Sequence, residues 1–129
     1  MRFHMMALAG AALLFATSAY ADDAMMNTYD NTVTTKNIAT SASGTLLFNK
    51  DMTYIARGMG KDGKPIQYPG NWAVKDDGKT ICLTPNLPPD TKDAPKPSCS
   101  PLEKHKVGDN WKVTNDQNET FNVSLTAGR

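Results

Sequence analysis

His105 is the residue whose type could most directly do chemistry, because the only other histidine, His4, lies in the N-terminal leader. As a general base it would need a serine nucleophile and an acid to orient the ring. Ser98 and Ser100 are the nearest serines, but neither lies in a Gly-x-Ser-x-Gly motif. His105 stands between two lysines, and charged runs are usually exposed. The pattern predicts a solvated loop histidine, so an enzyme using His105 is the third of three functional hypotheses.

Cys82 and Cys99 are the only cysteines of the chain. In an exported protein two cysteines are expected to pair, and the bridge would stabilise a small domain by roughly 3 kcal/mol. One histidine and two oxidised cysteines cannot supply the ligands that a zinc site needs. The sequence therefore predicts a structural disulfide and no metal or cofactor.

Aromatic side chains form the third set that could do chemistry. In a curled β-sheet they could surround a cavity, and small-molecule sites are lined mainly by apolar and aromatic groups. Alternatively they simply fill the core, with the indole N–H groups hydrogen-bonded locally. The predicted ligand-binding residues are Phe48, Tyr54, Tyr68, Trp72, Trp111 and Phe121.

A sequence segment that occurs twice indicates which secondary-structure elements position these rings. The stretch "NWAVKDDGKTICL" begins at Asn71, and "NWKVTNDQNETFNVSL" begins at Asn110. Each places apolar residues at every second position, as strands with one buried face do, on both sides of a polar acidic turn. Asp77-Gly78 is a strong signal for a type I′ turn. A fainter third copy of the segment begins at Gly44. The repeated pattern therefore predicts successive β-hairpins.

The chain is therefore expected to be all-β, an antiparallel meander of about seven strands forming a small barrel or half-barrel with one disulfide. Boundaries of such strands are uncertain by a few residues. The expected strands cover roughly 28–37, 45–49, 53–59, 65–74, 80–84, 110–114 and 120–126.

Six of the eight prolines lie in the segment 85–101. Because proline cannot donate a hydrogen bond to a strand ladder, this segment cannot be a central strand. It is predicted to be a long loop, held by the Cys82–Cys99 bridge.

The N-terminus has the layout of a secretory signal peptide: a basic start with Arg2, an apolar run, and Ala19-Tyr20-Ala21 as cleavage site. The apolar run is too short to span a bilayer. We expect cleavage at Ala21, a periplasmic or secreted location, and no stable membrane insertion afterwards. The expected organisation is a signal peptide at 1–21, a polar segment with a first strand at 22–43, and a β-barrel-like domain at 44–129.

The net charge of the chain argues against nucleic acid as a partner. Loss of Arg2 with the leader leaves equal numbers of basic and acidic residues. A neutral chain lacks the electrostatic footprint of a nucleic-acid-binding protein. The expected partner is a small hydrophobic ligand or a periplasmic protein.

The chain resembles two protein families, and each resemblance implies a function. With its leader, β-meander and the "GNW" of Gly70 to Trp72, the chain resembles small secreted bacterial calycin or lipocalin-like proteins, which implies a barrel that binds a ligand. The "TSASGTLLF" that contains Ser43 and Gly44 faintly resembles the Ser-Gly loop of periplasmic C-type lysozyme inhibitors. That resemblance implies that Ser43 and Gly44 bind a partner and that Ser43 approaches the carboxylates of a hydrolase.

The favoured expectation is an exported, non-enzymatic binding protein that holds a small hydrophobic or aromatic ligand inside the barrel. The alternative is a protein–protein interaction module, such as an inhibitor of lysozyme or another hydrolase.

Overall fold

The computed structural model describes residues 23–59, 62–92 and 94–129. The predicted signal peptide and its cleavage site at Ala21 lie outside the described residues. Eight strands follow one another along the chain: β1 Thr32–Asn37, β2 Ser43–Phe48, β3 Thr53–Met59, β4 Pro65–Lys75, β5 Thr80–Pro85, β6 Ser98–Pro101, β7 Asn110–Thr114 and β8 Thr120–Thr126. Within this part of the chain no helix is both long and apolar enough to cross a membrane.

All eight strands belong to one antiparallel sheet, in the order β6-β5-β4-β3-β2-β1-β8-β7. Neighbours in sequence are neighbours in the sheet, except that β8 returns to pair with β1. The sheet curls into a nearly closed barrel, which confirms the predicted all-β meander. Because β1 lies between β2 and β8, the barrel includes a strand from the segment that the sequence assigns to a polar N-terminal region.

The seven predicted strands are all present, and the structure adds β6. This short strand pairs only with β5, so it is an edge strand of the sheet. Edge positions are where a sheet tolerates proline. The prediction that the proline-rich segment holds no central strand is therefore compatible with β6, although the strand itself was not predicted.

Side-chain alternation defines the inside of the barrel. Residues paired across neighbouring strands point to the same face, and Tyr54 opposite Gly70 and Trp72 opposite Leu83 are two such inward pairs. The buried hydrophobic cluster consists of Met25, Tyr29, Val33, Phe48, Tyr54, Ala56, Trp72, Val74, Val123 and Leu125. Met25 and Tyr29 precede β1, so the N-terminal segment adds to a core otherwise built by the strands.

Acidic residues and threonines shape the tight turns. In the β4–β5 turn, Asp77 and Gly78 have φ values of 55° and 86°, as a type I′ turn requires, and Thr80 Oγ1 donates to Asp76 Oδ2 over 2.9 Å. In the β2–β3 turn, the Thr53 backbone N–H donates to Asp51 Oδ1 over 3.0 Å. The acid of the turn thus accepts a hydrogen bond from the threonine that begins the returning strand.

Asp116 joins the two ends of the sheet. β6 and β7 do not form a ladder with each other, but the Asp116 N–H donates to the Cys99 carbonyl over 2.9 Å, and the Cys99 N–H donates to Asp116 Oδ1 over 2.8 Å. Nearby, Gln117 Nε2 donates to the Pro97 carbonyl over 3.3 Å. The β7–β8 turn therefore closes the barrel against β6 at one end of the seam.

The disulfide fastens β6 to the sheet. Cys82 and Cys99 face each other directly across β5 and β6, with a Cα–Cα distance of 4.0 Å, and are bonded as predicted. Both lie on the outer face, because Cys82 alternates with the inward Ile81 and Leu83. The bridge therefore holds the edge strand without occupying the barrel interior.

Replacing both cysteines by serine is expected to lower the free energy of unfolding by about 3 kcal/mol, because the unfolded chain gains the entropy of an open loop. Urea denaturation of the wild-type protein and the double variant measures the difference. Dithiothreitol should lower the wild-type midpoint and leave the Cys82→Ser/Cys99→Ser midpoint unchanged. Equal midpoints for wild type and variant without reductant would contradict the expectation.

Candidate functional site

The barrel interior contains a cavity of about 670 Å³. This volume lies within the range of about 300–1,000 Å³ typical of small-molecule sites. Its wall includes aromatic residues from five strands, namely Phe48, Tyr54, Tyr68, Trp111 and Phe121, and aliphatic residues, namely Val33, Leu46, Ile81, Leu83, Val113 and Val123. The interior is therefore a chamber that side chains do not fill, with Thr35, Ser98 and Ser100 lining it beside the apolar residues.

Five of the six predicted ligand-binding residues line this cavity, and the sixth, Trp72, lies behind the wall. Trp72 is 2% exposed, and its ring centroid lies 6.2 Å from that of Tyr29 and 6.1 Å from that of Phe48. Its indole Nε1–H donates to the Asn49 carbonyl over 3.0 Å. The geometry gives Trp72 the local hydrogen bond and close packing of a core residue, whereas Trp111 forms part of the cavity wall.

Tyr54 and Tyr68 bring hydroxyl groups to the wall. They lie on the paired strands β3 and β4, and Tyr54 is only 2% exposed. Burial, and to a lesser extent the neighbouring Tyr68, raises the pKa of Tyr54 far above its usual range. Burial also raises the pKa of Tyr68. Both phenols are therefore held in the neutral form.

Gly70 makes the position of Tyr54 possible. It lies opposite Tyr54 in the β3–β4 ladder, and a Cβ atom at Gly70 would overlap the end of the Tyr54 ring. The absence of a side chain allows that ring to lie directly against the β4 backbone. Gly70, the glycine of the "GNW" triplet, thus has a packing role at the cavity wall.

His105 also lines the cavity, and the expectation that it is a solvated loop residue is wrong. Its ring stacks on Trp111 with centroids 3.5 Å apart and planes inclined by 7°. Its side chain is 19% exposed, and Nδ1 lies 3.5 Å from Asp109 Oδ2. Two lysines in sequence suggested exposure, but the loop that follows β6 turns the imidazole onto the wall.

The backbone around His105 is fastened on both sides. Asn27 Nδ2 donates to the His105 carbonyl over 2.9 Å, and the Lys106 N–H donates to Asp109 Oδ2 over 3.0 Å. Asp109 therefore orders the loop as well as facing the imidazole. Ser98 and Ser100 line the same cavity as His105, but among the described residues no serine hydroxyl is hydrogen-bonded to the imidazole as in a catalytic triad.

Ser43 and Gly44, the predicted partner-binding residues, begin strand β2 and do not form a loop. Ser43 is exposed. A Cβ atom at Gly44 would lie 2.6 Å from the Arg57 carbonyl oxygen, so the close approach of β2 and β3 explains this glycine. Ser43 is left as the residue of the pair that a partner could touch.

The wall residues missed by sequence reasoning include both aliphatic and polar side chains. Val33, Leu46 and Val123 follow the strand alternation that already placed the aromatic rings inside, so the same signal identifies them. His105 gives no such signal, because its contact with Trp111 depends on the path of an irregular loop. In the residues that the structure describes, no three His, Cys, Asp or Glu side chains form a group that could hold a metal ion.

Comparisons with known proteins give no match: no protein-family model, curated protein or solved structure shows significant similarity to this chain. The cavity is therefore the feature from which a function is inferred.

Stability at alkaline pH is expected to report on the two wall tyrosines. Their pKa values in the folded protein lie above the ordinary value of 10.0, so the folded state keeps protons that the unfolded chain releases. The free energy of unfolding should therefore be insensitive to these groups below about pH 10 and fall at higher pH, by up to about 1.4 kcal/mol per pH unit for each tyrosine.

Tyr54→Phe should make this alkaline decline shallower, because one of the two late-titrating protons is removed. Urea denaturation at a series of pH values from neutral to strongly alkaline measures both slopes, and phenolate absorbance follows the ionisation directly. Parallel curves for wild type and Tyr54→Phe above pH 10 would contradict the assignment.

Proposed function

We propose that this protein is a non-enzymatic binding protein that holds a small apolar or aromatic molecule inside its barrel. The observation that carries the proposal is the cavity of about 670 Å³ with five aromatic residues in its wall. Burial of apolar ligand surface is worth about 25 cal/mol per Å², so a small molecule enclosed by such a wall gains useful affinity without any charged contact.

The distribution of charge supports the same ligand class. The charged residues of the lining are Lys96, Glu103, His105 when protonated, and Glu119, and all of them lie on loops or turns. The strand residues that form the chamber are uncharged. An ion would lose its hydration there without a partner of opposite charge, which is costly, whereas a neutral ring would not.

The contacts of His105 support a structural role for this residue in the cavity wall. Its ring is engaged with Trp111 on one face and faces Asp109 through Nδ1. Stacked in this way, the imidazole covers part of one face of Trp111 and packs that side of the wall.

We also propose that the protein acts in the periplasm or outside the cell. The Cys82–Cys99 disulfide supports this, because such bonds persist in oxidising compartments. Mass spectrometry of the protein recovered from outside the inner membrane should find a chain that begins after Ala21. A product that retains the leader would contradict the proposal.

A titration with N-phenyl-1-naphthylamine, a neutral probe that fluoresces in apolar sites, tests ligand binding. We expect saturable enhancement with about one probe per barrel, and displacement by apolar aromatic compounds. Ser100→Trp places a large ring at a cavity-lining position of β6 and should weaken probe binding at least tenfold. Thr84→Trp is the matched control on the outer face of the neighbouring strand β5 and should bind normally.

The two variants separate binding in the chamber from adsorption to the surface. Circular dichroism establishes that both are folded before the titration. No enhancement with the wild-type protein, or equal enhancement with both variants, would overturn the proposed function.

Inhibition of a hydrolase is the second candidate, and the exposure of Ser43 is the observation that favours it. Ser43 begins β2 at the same end of the barrel as the proline-rich loop between β5 and β6. Assay of a C-type lysozyme with the wild-type protein and Ser43→Asp tests this function. Undiminished lysozyme activity in the presence of excess wild-type protein would reject it.

A further inference from the structure

The Tyr54 hydroxyl is a polar group that is accessible from the cavity, since no fully buried side-chain oxygen or nitrogen of the described residues lacks a hydrogen-bond partner. The residue is 2% exposed and lines the chamber. Among the described residues no side chain or backbone group is hydrogen-bonded to this hydroxyl, and the same is true of Tyr68. Both tyrosines therefore contribute polar atoms to the wall, beside those of Thr35, Ser98 and Ser100.

Such groups rarely lack a partner in a functioning protein. A buried hydroxyl without a hydrogen bond costs free energy, and most buried polar groups are paired with protein, ordered water or ligand. Because the protein around Tyr54 supplies no partner and the hydroxyl is accessible from the cavity, its partner comes from the cavity, either as water or as a bound molecule. A bound molecule with a matching polar atom would meet this requirement.

The position of Tyr54 is specified by the structure around it. The ring packs on Phe48 with centroids 5.9 Å apart, and it lies against the bare backbone of Gly70. A ring fixed from two sides directs its hydroxyl in one direction. Fixed donors of this kind confer specificity, because a ligand that cannot pair with them leaves them unsatisfied.

The chemistry of the two groups defines the ligand atom they would recognise. A neutral phenol donates a strong hydrogen bond, and burial keeps both hydroxyls neutral. A carbonyl oxygen accepts such bonds and carries no charge that would be costly to bury in this chamber. The aromatic wall favours a ring beside that carbonyl.

We propose that the cavity binds a neutral, ring-containing molecule with a hydrogen-bond-accepting carbonyl, and that Tyr54, assisted by Tyr68, donates to that carbonyl. This inference rests on the proposed binding function and adds the chemical class of the ligand. A pure hydrocarbon of the same shape would occupy the chamber but leave the hydroxyls unpaired, and a carboxylate would have to bury its charge.

Three naphthalene derivatives of similar size test this class: 2-acetylnaphthalene, 2-ethylnaphthalene and 2-naphthoate. Displacement of N-phenyl-1-naphthylamine gives their affinities for the wild-type protein, Tyr54→Phe and Tyr68→Phe. We expect the wild-type protein to bind the ketone about tenfold more tightly than the hydrocarbon and to bind the carboxylate most weakly. In Tyr54→Phe the preference for the ketone should fall to about twofold or less, while hydrocarbon affinity is retained.

The outcomes distinguish a failure of the proposed binding function from a failure of the proposed ligand class. If the probe itself does not bind, the proposed function fails. If the probe binds and the wild-type protein does not prefer the ketone, the function stands and the ligand class is overturned, with water as the partner of the hydroxyls. An unchanged preference in both tyrosine variants also overturns it. The wild-type comparison decides the question even if Tyr54→Phe does not fold.

Discussion

Trp72→Ala is expected to lower the free energy of unfolding by about 3–5 kcal/mol, because it removes the largest side chain of the buried cluster and leaves a void. Trp72 is 2% exposed and packs between Tyr29 and Phe48. Small domains are stable by only about 5–15 kcal/mol, so this one substitution brings the protein close to unfolding. Urea denaturation followed by far-ultraviolet circular dichroism measures the loss.

Trp111→Ala is the matched control. Both tryptophans belong to Asn-Trp-x-Val segments, but Trp111 is partly exposed and borders the cavity. Truncation there enlarges a cavity without removing packing on every side, so the expected loss is smaller, about 1–2 kcal/mol. Equal losses at the two positions would show that Trp72 is no more a core residue than Trp111.

Trp72→Phe separates the contribution of the aromatic ring to stability from that of the indole hydrogen bond. The variant keeps an aromatic ring but leaves the Asn49 carbonyl without the indole donor. The carbonyl still accepts from the Met52 N–H over 3.3 Å, so a loss smaller than that of Trp72→Ala is expected, made up of the smaller ring and one hydrogen bond worth about 0.5–1.5 kcal/mol.

The β4–β5 hairpin was predictable because two independent signals agree in it. Apolar residues at every second position set the inward face, and Asp77-Gly78 supplies the positive φ values of the turn. The threonine after the turn adds a hydrogen bond to the acid, as Thr80 does to Asp76. Local chemistry of this kind needs no knowledge of distant residues.

The strand β6 was not predictable by the same means. It contains Cys99 and ends at Pro101, and its four residues are too few to show alternation. What makes it a strand is its long-range partners: Cys82 across the disulfide and Asp116 across the seam. Asp116 occupies a turn position like Asp77, so sequence alone gives it only the role of a turn residue.

The cavity wall was predictable in part. Strand alternation places Phe48, Tyr54 and Trp111 inside the barrel. It does not separate Trp72 from Trp111, because the difference between them arises from Tyr29 and Asn49, which reach Trp72 from other segments. The stacking of His105 on Trp111 likewise depends on the path of the chain between β6 and β7.

Gly70→Ala is expected to destabilise the protein by up to about 3 kcal/mol, because the added methyl group overlaps the end of the Tyr54 ring. Tyr54 is 2% exposed and packs on Phe48, so its ring can move away from the added methyl group only by giving up this packing and shifting toward the cavity. Gly58→Ala is the control: it is also a strand glycine, but its nearest neighbour to an added Cβ is the Ser43 carbonyl oxygen at 3.4 Å. That substitution should change stability by less than about 1 kcal/mol.

Tyr54→Leu should rescue Gly70→Ala if the overlap with the ring is the cause. Leucine lacks the end of the ring, so the alanine methyl group can occupy the space that the phenol leaves. The double variant should therefore be more stable than the sum of the two single losses predicts, by about 1–3 kcal/mol in a double-mutant cycle from urea denaturation. Additive losses would mean that the glycine is required for the conformation of β4 and not for its contact with Tyr54. A positive coupling would establish that a glycine and a tyrosine on paired strands together form one side of the cavity wall, and that the hydroxyl offered to a ligand depends on both.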